Sequence, residues 1–459
     1  MAGIGFELRR LANRRDYTGQ MQAYASAAVV SAGPWIISIL SLMLLTWLLD
    51  PVLPGDEVRL FTSSITHVYA FALVLTGPVQ LVLTRYTADC FSVKMRKGVF
   101  PSLMGALLLT SVVMMVAGGW FFLTQVPAPP VFQAAAAALL VHVAAIFIVS
   151  TYLSALRHYT RIVLAFFTGY AVGVLAAYAL SWEYGVTGAM LGFLAGHVVL
   201  TGMLIVFVYR EFGKGSGSRF EFLKAFRRYP DLMWCGLCYN LAIWIDKFLF
   251  WWFSQSNMQI SGALHAAPDY DLAIYLSLLS IAPGMAVFFL QVETAFAERY
   301  HEFFDAVKDG RPLREITAAR RGIIHSLREG FVKLLKVQGL TTVILVVFAD
   351  QLTGWFHLGF VQTGIFRITL FGALLLVMFL SAITVLFYFD DRRGALWCAL
   401  VFLLGNAGLS IVTLRENEAW YGFGFVSAAG VALFLAAMRV NRHLEELEYR
   451  TFCKTAAHA

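Results

Sequence analysis

The chain has 459 residues, of which 59% are hydrophobic and 14% are charged, and its mean hydropathy is +0.71. Soluble globular proteins contain about 45–50% apolar and about 25% charged residues, and no soluble fold can bury so large an apolar excess. The composition therefore excludes a cytosolic enzyme, a disordered chain and a secreted disulfide scaffold. It predicts a polytopic membrane protein.

Twelve apolar runs follow one another along the chain, and each is long enough for a helix of ~20 residues that spans a bilayer. The first six lie near 22–49, 61–83, 100–123, 131–156, 160–180 and 186–209. The second six lie near 232–254, 270–292, 331–349, 363–388, 394–413 and 419–440. Strands of a membrane β-barrel would instead show short segments of alternating polarity. The predicted fold class is an all-α integral membrane protein of about twelve transmembrane helices.

Basic residues predict the orientation and the domain organisation. With the N-terminus in the cytoplasm, nearly all of the 35 Lys and Arg fall in cytoplasmic segments, as the positive-inside rule requires. Both termini are then cytoplasmic, and the net charge of +7 is explained by membrane insertion, so nucleic acid is not an expected partner. The predicted segments are an interfacial segment 1–21, an N-terminal six-helix lobe 22–209, a basic linker 210–231, a C-terminal six-helix lobe 232–440 and a cytoplasmic tail 441–459.

Asp246 and Lys247 lie near the middle of the seventh span, where a charge costs roughly 2.5–3.5 kcal/mol on insertion scales. Adjacent helical residues point about 100° apart, so the two side chains need not pair with each other. Asn240 shares a helical face with Lys247, and Tyr239 shares one with Asp246. With Trp244, these residues are the candidates for a substrate pathway. Three roles remain open for the charges: an interhelical ion pair, the lining of a water-filled pathway, or proton or ion coupling.

Three histidines also lie inside predicted spans. His67, His142 and His197 fall in the second, fourth and sixth runs. A histidine in a span either donates a hydrogen bond between helices or carries protons, and both interpretations remain open. The histidines show no metal-binding spacing, so we expect no metal. We also expect no cofactor and no catalytic residue.

The segment 293–330 is predicted to form an amphipathic cytoplasmic insertion in the second lobe. Its apolar residues fall roughly on one helical face and its basic residues lie elsewhere. Such a helix rests on anionic lipid or docks a cytoplasmic partner. The basic candidates for this contact are Arg314, Arg320, Arg321 and Arg328.

The opening sequence Met1-Ala-Gly-Ile-Gly-Phe-Glu-Leu-Arg-Arg10 and the motif Ser31-Ala-Gly-Pro-Trp35 resemble the PelG family, the inner-membrane transport components of the Pel exopolysaccharide system. The layout of six plus six spans is similar to the wider multidrug/oligosaccharidyl-lipid/polysaccharide (MOP) exporter superfamily. The resemblance implies two six-helix lobes around a central cavity, which export an N-acetylgalactosamine-rich polymer across the bacterial cytoplasmic membrane. It also implies a complex with a cytoplasmic PelF-like glycosyltransferase, a PelD-like cyclic-di-GMP receptor and a PelE-like membrane protein. It supplies no substrate-contacting residues.

Other functions remain open beside polysaccharide export. A cation-coupled multidrug transporter or a lipid-linked oligosaccharide flippase of the same superfamily would have the same layout, and so would a non-transporting membrane scaffold of the synthase. A membrane glycosyltransferase is disfavoured because the predicted outer loops are too short to hold a sugar-binding domain. The chain has no Walker motif, so its own hydrolysis of ATP is not expected.

Overall fold

The computed structural model describes residues 33–92, 96–153 and 159–454, which form helices joined by short turns and one small β-hairpin. The predicted interfacial segment 1–21 and residues 455–459 of the tail lie outside the described residues. The described chain forms two compact units, which divide between Asp271 and Leu272.

The first unit, Gly33–Asp271, contains the helices up to the seventh predicted span. They are α1 (Gly33–Leu49), α2 (Gly55–Ser92), α3 (Val99–Gln125), α4 (Pro130–Leu153), α5 (Tyr159–Phe212), α6 (Leu223–Arg228) and α7 (Pro230–Phe253). A hairpin of β1 (Met258–Ser261) and β2 (Leu264–Ala266) and the first turn of α8 (Pro268–Leu279) complete the unit.

α5 contains two predicted spans that meet at Gly185. This residue has φ 58° and ψ −142°, a backbone conformation that glycine adopts without steric cost. The carboxylate of Glu57 in α2 accepts the N–H of Val186 at 3.0 Å, so the second half of α5 begins with a side-chain hydrogen bond to its first turn. The predicted division between residues 180 and 186 therefore coincides with the break.

α7 packs against α2 in the first unit because two glycines face each other. A Cβ at Gly77 would lie 2.7 Å from the carbonyl oxygen of Gly236, so the absence of side chains lets the two backbones approach closely. The amide of Asn240 also donates to the carbonyl oxygen of Leu73 at 3.2 Å. The sequence predicts a lobe boundary at 210–231, whereas the compact units divide after α7 and the hairpin; the predicted lobes themselves stay a prediction.

The β-hairpin follows α7 and was not predicted. Its strands are antiparallel, with Met258 opposite Ala266 and Gln259 opposite His265, and an irregularity before Ser261. Gly262 in the turn has φ +55°, which favours glycine. The hairpin leads directly into α8 and thereby fixes where that helix begins.

The second unit contains the remaining helices. They are the rest of α8, then α9 (Ala282–Gln291), α10 (Ala297–Lys308), α11 (Leu313–Val347), α12 (Ala349–Trp355), α13 (Phe360–Tyr388), α14 (Arg392–Arg415), α15 (Phe423–Glu445) and α16 (Leu447–Tyr449). The break between α8 and α9 is bridged by the buried side chain of Gln338 in α11. Its amide accepts the N–H of Gly284 at 3.1 Å and donates to the carbonyl oxygen of Ser280 at 2.9 Å. The predicted insertion 293–330 contains most of a π-helical turn (Val292–Phe296), then α10 and the first half of α11.

The apolar helices have the length and composition of membrane spans. Among the described residues, nine helices meet both criteria, and one of them is α5 with its two predicted spans. The other two predicted spans coincide with α1, of which 17 residues are described, and with α7, where Asp246 and Lys247 lower the hydropathy. The predicted all-α membrane fold class is confirmed, while the orientation of the termini stays a prediction.

The glycine contact between α2 and α7 can be tested directly. We expect Gly236→Ala to lower the melting temperature of the purified protein, because its Cβ would collide with the Gly77 carbonyl oxygen and overpacking costs about 1–3 kcal/mol. The matched control is Gly202→Ala in α5, where a Cβ meets nothing within 4 Å. Alanine favours a helix, so this control should leave the melting temperature unchanged or raise it. Equal effects of the two substitutions would contradict the proposed packing.

Candidate functional site

Asp246 and Lys247 form an ion pair in the interior of the first unit. Both residues are 0% exposed. The Lys247 Nζ lies 3.2 Å from each carboxylate oxygen of Asp246 and donates to the carbonyl oxygen of Ile243 at 2.8 Å. The flexible lysine side chain overcomes the angle between neighbouring helical positions, so the two charges neutralise each other within one helix.

Tyr270 joins this ion pair from the first turn of α8. Its hydroxyl donates to Asp246 Oδ2 at 2.6 Å, and its ring stacks on Phe250 with centroids 4.0 Å apart and planes 6° apart. Both rings are buried. The carboxylate of Asp246 therefore accepts hydrogen bonds from two donors, one ammonium and one phenol. A buried charge needs such hydrogen bonds to be tolerated.

A second carboxylate, Asp271, lies one residue further along α8. It accepts the indole N–H of Trp251 at 2.9 and 3.0 Å and the backbone N–H of Ala267 at 3.0 Å. The bond to Ala267 satisfies an N–H at the start of the helix, where the helix dipole also stabilises negative charge. Trp251 is thus fixed by Asp271, and α7 is connected to the start of α8 at two points.

His67 of α2 packs against the same tryptophan. The His67 and Trp251 rings are stacked with centroids 4.2 Å apart, and Phe121 of α3 lies on a parallel plane 6.1 Å from the imidazole. His67 Nδ1 donates to the carbonyl oxygen of Ser63 at 2.9 Å. His67, Asp246 and Lys247 are all candidates predicted from the sequence, and the structure brings them into one cluster. We call it the α7 cluster: His67, Asp246, Lys247, Trp251, Tyr270 and Asp271.

The other candidates on α7 have different surroundings. Asn240 is buried and binds the α2 backbone, as described above. Trp244 is half-buried, and its ring lies 5.9 Å from Lys247 Nζ, a distance suited to a cation–π interaction. Tyr239 is half-buried and lies two turns before Asp246. Trp244 is therefore the candidate that lies over the ammonium of the ion pair.

His142 and His197 belong to a separate network of α2, α4 and α5. His197 Nε2 lies 2.9 Å from the hydroxyl of Tyr69, which lies 2.5 Å from the hydroxyl of Tyr170. Thr201 donates to the carbonyl oxygen of His197 at 2.7 Å and lies 3.3 Å from His142 Nδ1. Both histidines thus lie within hydrogen-bonding distance of a residue on another helix, which is one of the two roles predicted for them. The tyrosine partners of His197 were not predicted.

The four arginines of the predicted insertion lie on α11 in the second unit. Arg320 is half-buried and pairs with Glu448 at 3.5 Å, so it holds α11 against the C-terminal helices. Arg314, Arg321 and Arg328 are exposed, and their spacing of seven residues places them on one face of the helix. Three of the four predicted contact arginines are therefore exposed on one helical face, and the contact itself stays a prediction.

Tyr270 and Asp271 are the site residues that sequence reasoning missed. Pro268-Asp-Tyr-Asp271 is an ordinary helix start, with proline and acidic residues in the first turn. That pattern explains the residues locally and hides their contact with α7. The signal that could have found them is the proximity of Asp271 to a span that already contains an unexplained charge pair.

A helical membrane fold with charged groups buried between its spans is typical of membrane transporters. Solved structures with a similar fold include a MOP superfamily transporter from Pyrococcus furiosus, which is 15% identical over 91% of this chain and 96% of that chain, with a TM-score of 0.59. A multidrug resistance MATE family transporter of the MOP superfamily is similar in an inward-facing conformation (15% identity, 91% and 99% covered, TM-score 0.59) and an outward-facing one (16%, 97% and 100%, 0.59). At these identities the likeness shows the fold alone.

Residues 1–452 match the family "PelG: Putative exopolysaccharide Exporter (EPS-E)". The chain therefore belongs to the PelG family, and the resemblance of its first ~40 residues is confirmed over almost the whole length. The comparison with curated proteins finds no match. Family, fold and apolar helices together make this a multi-pass protein of the inner membrane.

The ion pair can be tested by a double-mutant cycle. We expect Asp246→Asn and Lys247→Met each to lower the free energy of unfolding by about 3–5 kcal/mol, because each leaves one buried charge without its partner. The double variant has neither charge and should recover part of the loss. Stability is measured by unfolding of the purified protein.

The control for this cycle is the exposed pair of Arg299 and Glu302. Glu302→Gln should change the stability by less than about 1 kcal/mol, because water already solvates both charges. Strictly additive effects at positions 246 and 247 would show that the two charges do not interact.

Proposed function

We propose that this protein exports an N-acetylgalactosamine-rich exopolysaccharide, the Pel polymer, across the bacterial cytoplasmic membrane as the transport subunit of a synthase complex. The observation that carries the proposal is the family match over residues 1–452. The transporter fold supports it. We also propose that the chain performs no catalysis, since both its family and its fold are those of transporters.

The proposed partners are a PelF-like glycosyltransferase, a PelD-like cyclic-di-GMP receptor and a PelE-like membrane protein. The exposed face of Arg314, Arg321 and Arg328 on α11 supports a contact at the membrane surface. An arginine row of this kind suits anionic lipid headgroups or an acidic surface on one of these partners. Lipid is the simpler assignment, because the second half of α11 is itself apolar, which places the arginines next to a predicted membrane span.

Cation-coupled transport within the same superfamily is the second candidate function. The buried carboxylate of Asp246 and the half-buried carboxylate of Asp271 favour it, because acidic residues inside membrane proteins mark ion and proton pathways. Against it, the ammonium of Lys247 already occupies Asp246. Coupling through Asp246 would require this ion pair to open.

The test of the export proposal is deletion of the gene in its native host. We expect secreted polymer, measured by sugar analysis, to be lost while polymerising activity in lysates is retained, because export follows synthesis. Complementation with the unaltered gene should restore secretion. Unchanged secretion after deletion would refute the proposal and favour drug-susceptibility and lipid-linked sugar assays instead.

A second arm separates transport from a scaffold role. The double variant Asp246→Asn with Lys247→Met removes both charges of the ion pair while keeping side chains of similar size. If the chain transports through this region, secretion should fall although membrane abundance and co-purification of the synthase subunits are normal. If the chain is only a scaffold, cells with the double variant should secrete the polymer normally whenever the abundance of the protein and its binding of the synthase subunits are retained.

A further inference from the structure

Three aromatic side chains follow one another along one side of α7. Trp244, Phe248 and Trp252 recur every four residues, and each is half-buried. The ring centroids of Trp244 and Phe248 lie 6.3 Å apart, and those of Phe248 and Trp252 lie 6.0 Å apart. A rise of ~1.5 Å per residue makes this row about 12 Å long. We call it the aromatic face of α7, and it is longer than one sugar ring.

The packing behind this face holds its rings in place. Between ring centroids, the buried Trp251 lies 5.4 Å from Phe248 and 6.3 Å from Trp252, and its indole is fixed by Asp271. Phe71 of α2 lies 6.0 Å from Phe248 on the same measure. A ligand that packs on these rings therefore meets a surface that loses little conformational freedom on binding.

Polar atoms without a partner lie at the end of this face. Ser254 ends α7 two residues after Trp252 and is 5% exposed. Its hydroxyl and that of the half-buried Ser256 have no hydrogen-bond partner among the described residues. The same is true of His265 Nδ1, and the His265 ring centroid lies 6.3 Å from that of Trp252. Native proteins leave few buried polar atoms without a partner, so this group of atoms is suited to a ligand that supplies hydrogen bonds.

His67 of α2 provides a further hydrogen-bond acceptor beside Trp252. The two ring centroids lie 6.4 Å apart, and His67 is 0% exposed. A carbonyl oxygen only accepts, so in the neutral ring the bond from Nδ1 to Ser63 leaves a lone pair on Nε2. His67 Nε2 has no hydrogen-bond partner in the described part of the chain. Burial lowers the pKa of His265, so that ring is neutral at pH 7 and offers one donor and one acceptor.

Ring faces combined with uncharged polar groups fit a neutral sugar unit. The C–H groups of a pyranose pack on aromatic rings, while its hydroxyl and acetamido groups donate and accept hydrogen bonds. Binding sites for small molecules generally combine aromatic walls with a few such polar groups. A uronic acid fits less well, because the face of an aromatic ring is electronegative and repels a carboxylate. A lipid acyl chain would leave the buried polar atoms without partners, which is costly in apolar surroundings.

We propose that the aromatic face of α7 and the polar atoms at its end form a binding subsite for N-acetylated hexosamine units of the exported polymer. This inference rests on the proposed function, which supplies the polymer, and it names the part of the chain that the polymer contacts. In the predicted orientation α7 begins at the cytoplasmic linker, so its Trp252 end faces outward. The subsite therefore binds the polymer at the outer end of the helix.

The test is saturation-transfer-difference NMR of the full-length protein in lipid nanodiscs with soluble oligomers of N-acetylgalactosamine. We expect Trp252→Ala to weaken binding about tenfold or more, because it removes the ring on which a sugar packs. Trp252→Phe keeps an aromatic ring and should keep most of the affinity. His265→Phe keeps a ring but loses the imidazole nitrogens, and it should weaken binding about threefold to tenfold, as the loss of one hydrogen bond does.

The matched controls are Trp234→Ala and Phe253→Ala. Both residues belong to α7, lie outside its aromatic face and are 52% and 71% exposed, so neither substitution should change binding. Oligomers of galacturonic acid should bind more weakly than those of N-acetylgalactosamine. The proposal is overturned if wild type does not bind the N-acetylgalactosamine oligomers, if it prefers the acidic ones, or if Trp252→Ala and the controls have equal effects.

Secretion by the native host separates this inference from the proposed function. Trp252→Ala should lower the amount of secreted polymer at unchanged membrane abundance, whereas Phe253→Ala should not. If deletion of the gene abolishes secretion but Trp252→Ala binds and secretes like wild type, the export function stands and the subsite is refuted. If deletion leaves secretion intact, the export function fails, and the binding measurement still decides whether α7 holds a sugar-binding subsite.

Discussion

The burial of two opposite charges on adjacent residues of α7 constrains the rest of the first unit. Each charge alone would cost several kcal/mol in an apolar helix, and the pair still needs further hydrogen bonds to become tolerable. The hydroxyl of Tyr270 and the carbonyl oxygen of Ile243 provide them. Because Tyr270 belongs to the next helix, α8 must begin where its first turn reaches Asp246. The hairpin between the two helices is the connection that allows this.

Close packing of α2 against α7 is the second requirement for the cluster. Gly77 and Gly236 remove the side chains that would keep the helices apart, as small residues do at interfaces between membrane helices. The amide of Asn240 then binds the α2 backbone. As a result, His67 lies on the ring of Trp251 three turns further along α7. A buried ion pair rarely adds stability over apolar packing, so stability alone does not explain why both charges lie in α7.

Hydropathy predicted the helices because each span must satisfy its backbone and its lipid contacts locally. Asp246, Lys247 and His67 were visible for the same reason, since polar residues stand out inside apolar runs. Tyr270 and Asp271 were not, because their partners are 24 and 20 residues away in sequence and their own neighbourhood reads as a normal helix start. The hairpin was missed because its two strands have only four and three residues. Contacts of this kind depend on how α7 and α8 meet, which no local pattern encodes.

The chemistry of a glycan separates the roles of the groups on α7. A hexosamine polymer offers hydroxyls, amides and apolar ring faces, which bind half-buried aromatic rings and polar groups rather than a neutralised ion pair. Trp244, Phe248 and Trp252 recur every four residues and are half-buried, so they form the aromatic face of the helix. Asp246 and Lys247 are fully buried and use their hydrogen-bonding capacity within the protein. Under the proposed function, the aromatic face is therefore the part of α7 suited to a sugar chain, whereas the ion pair of Asp246 and Lys247 is satisfied within the protein.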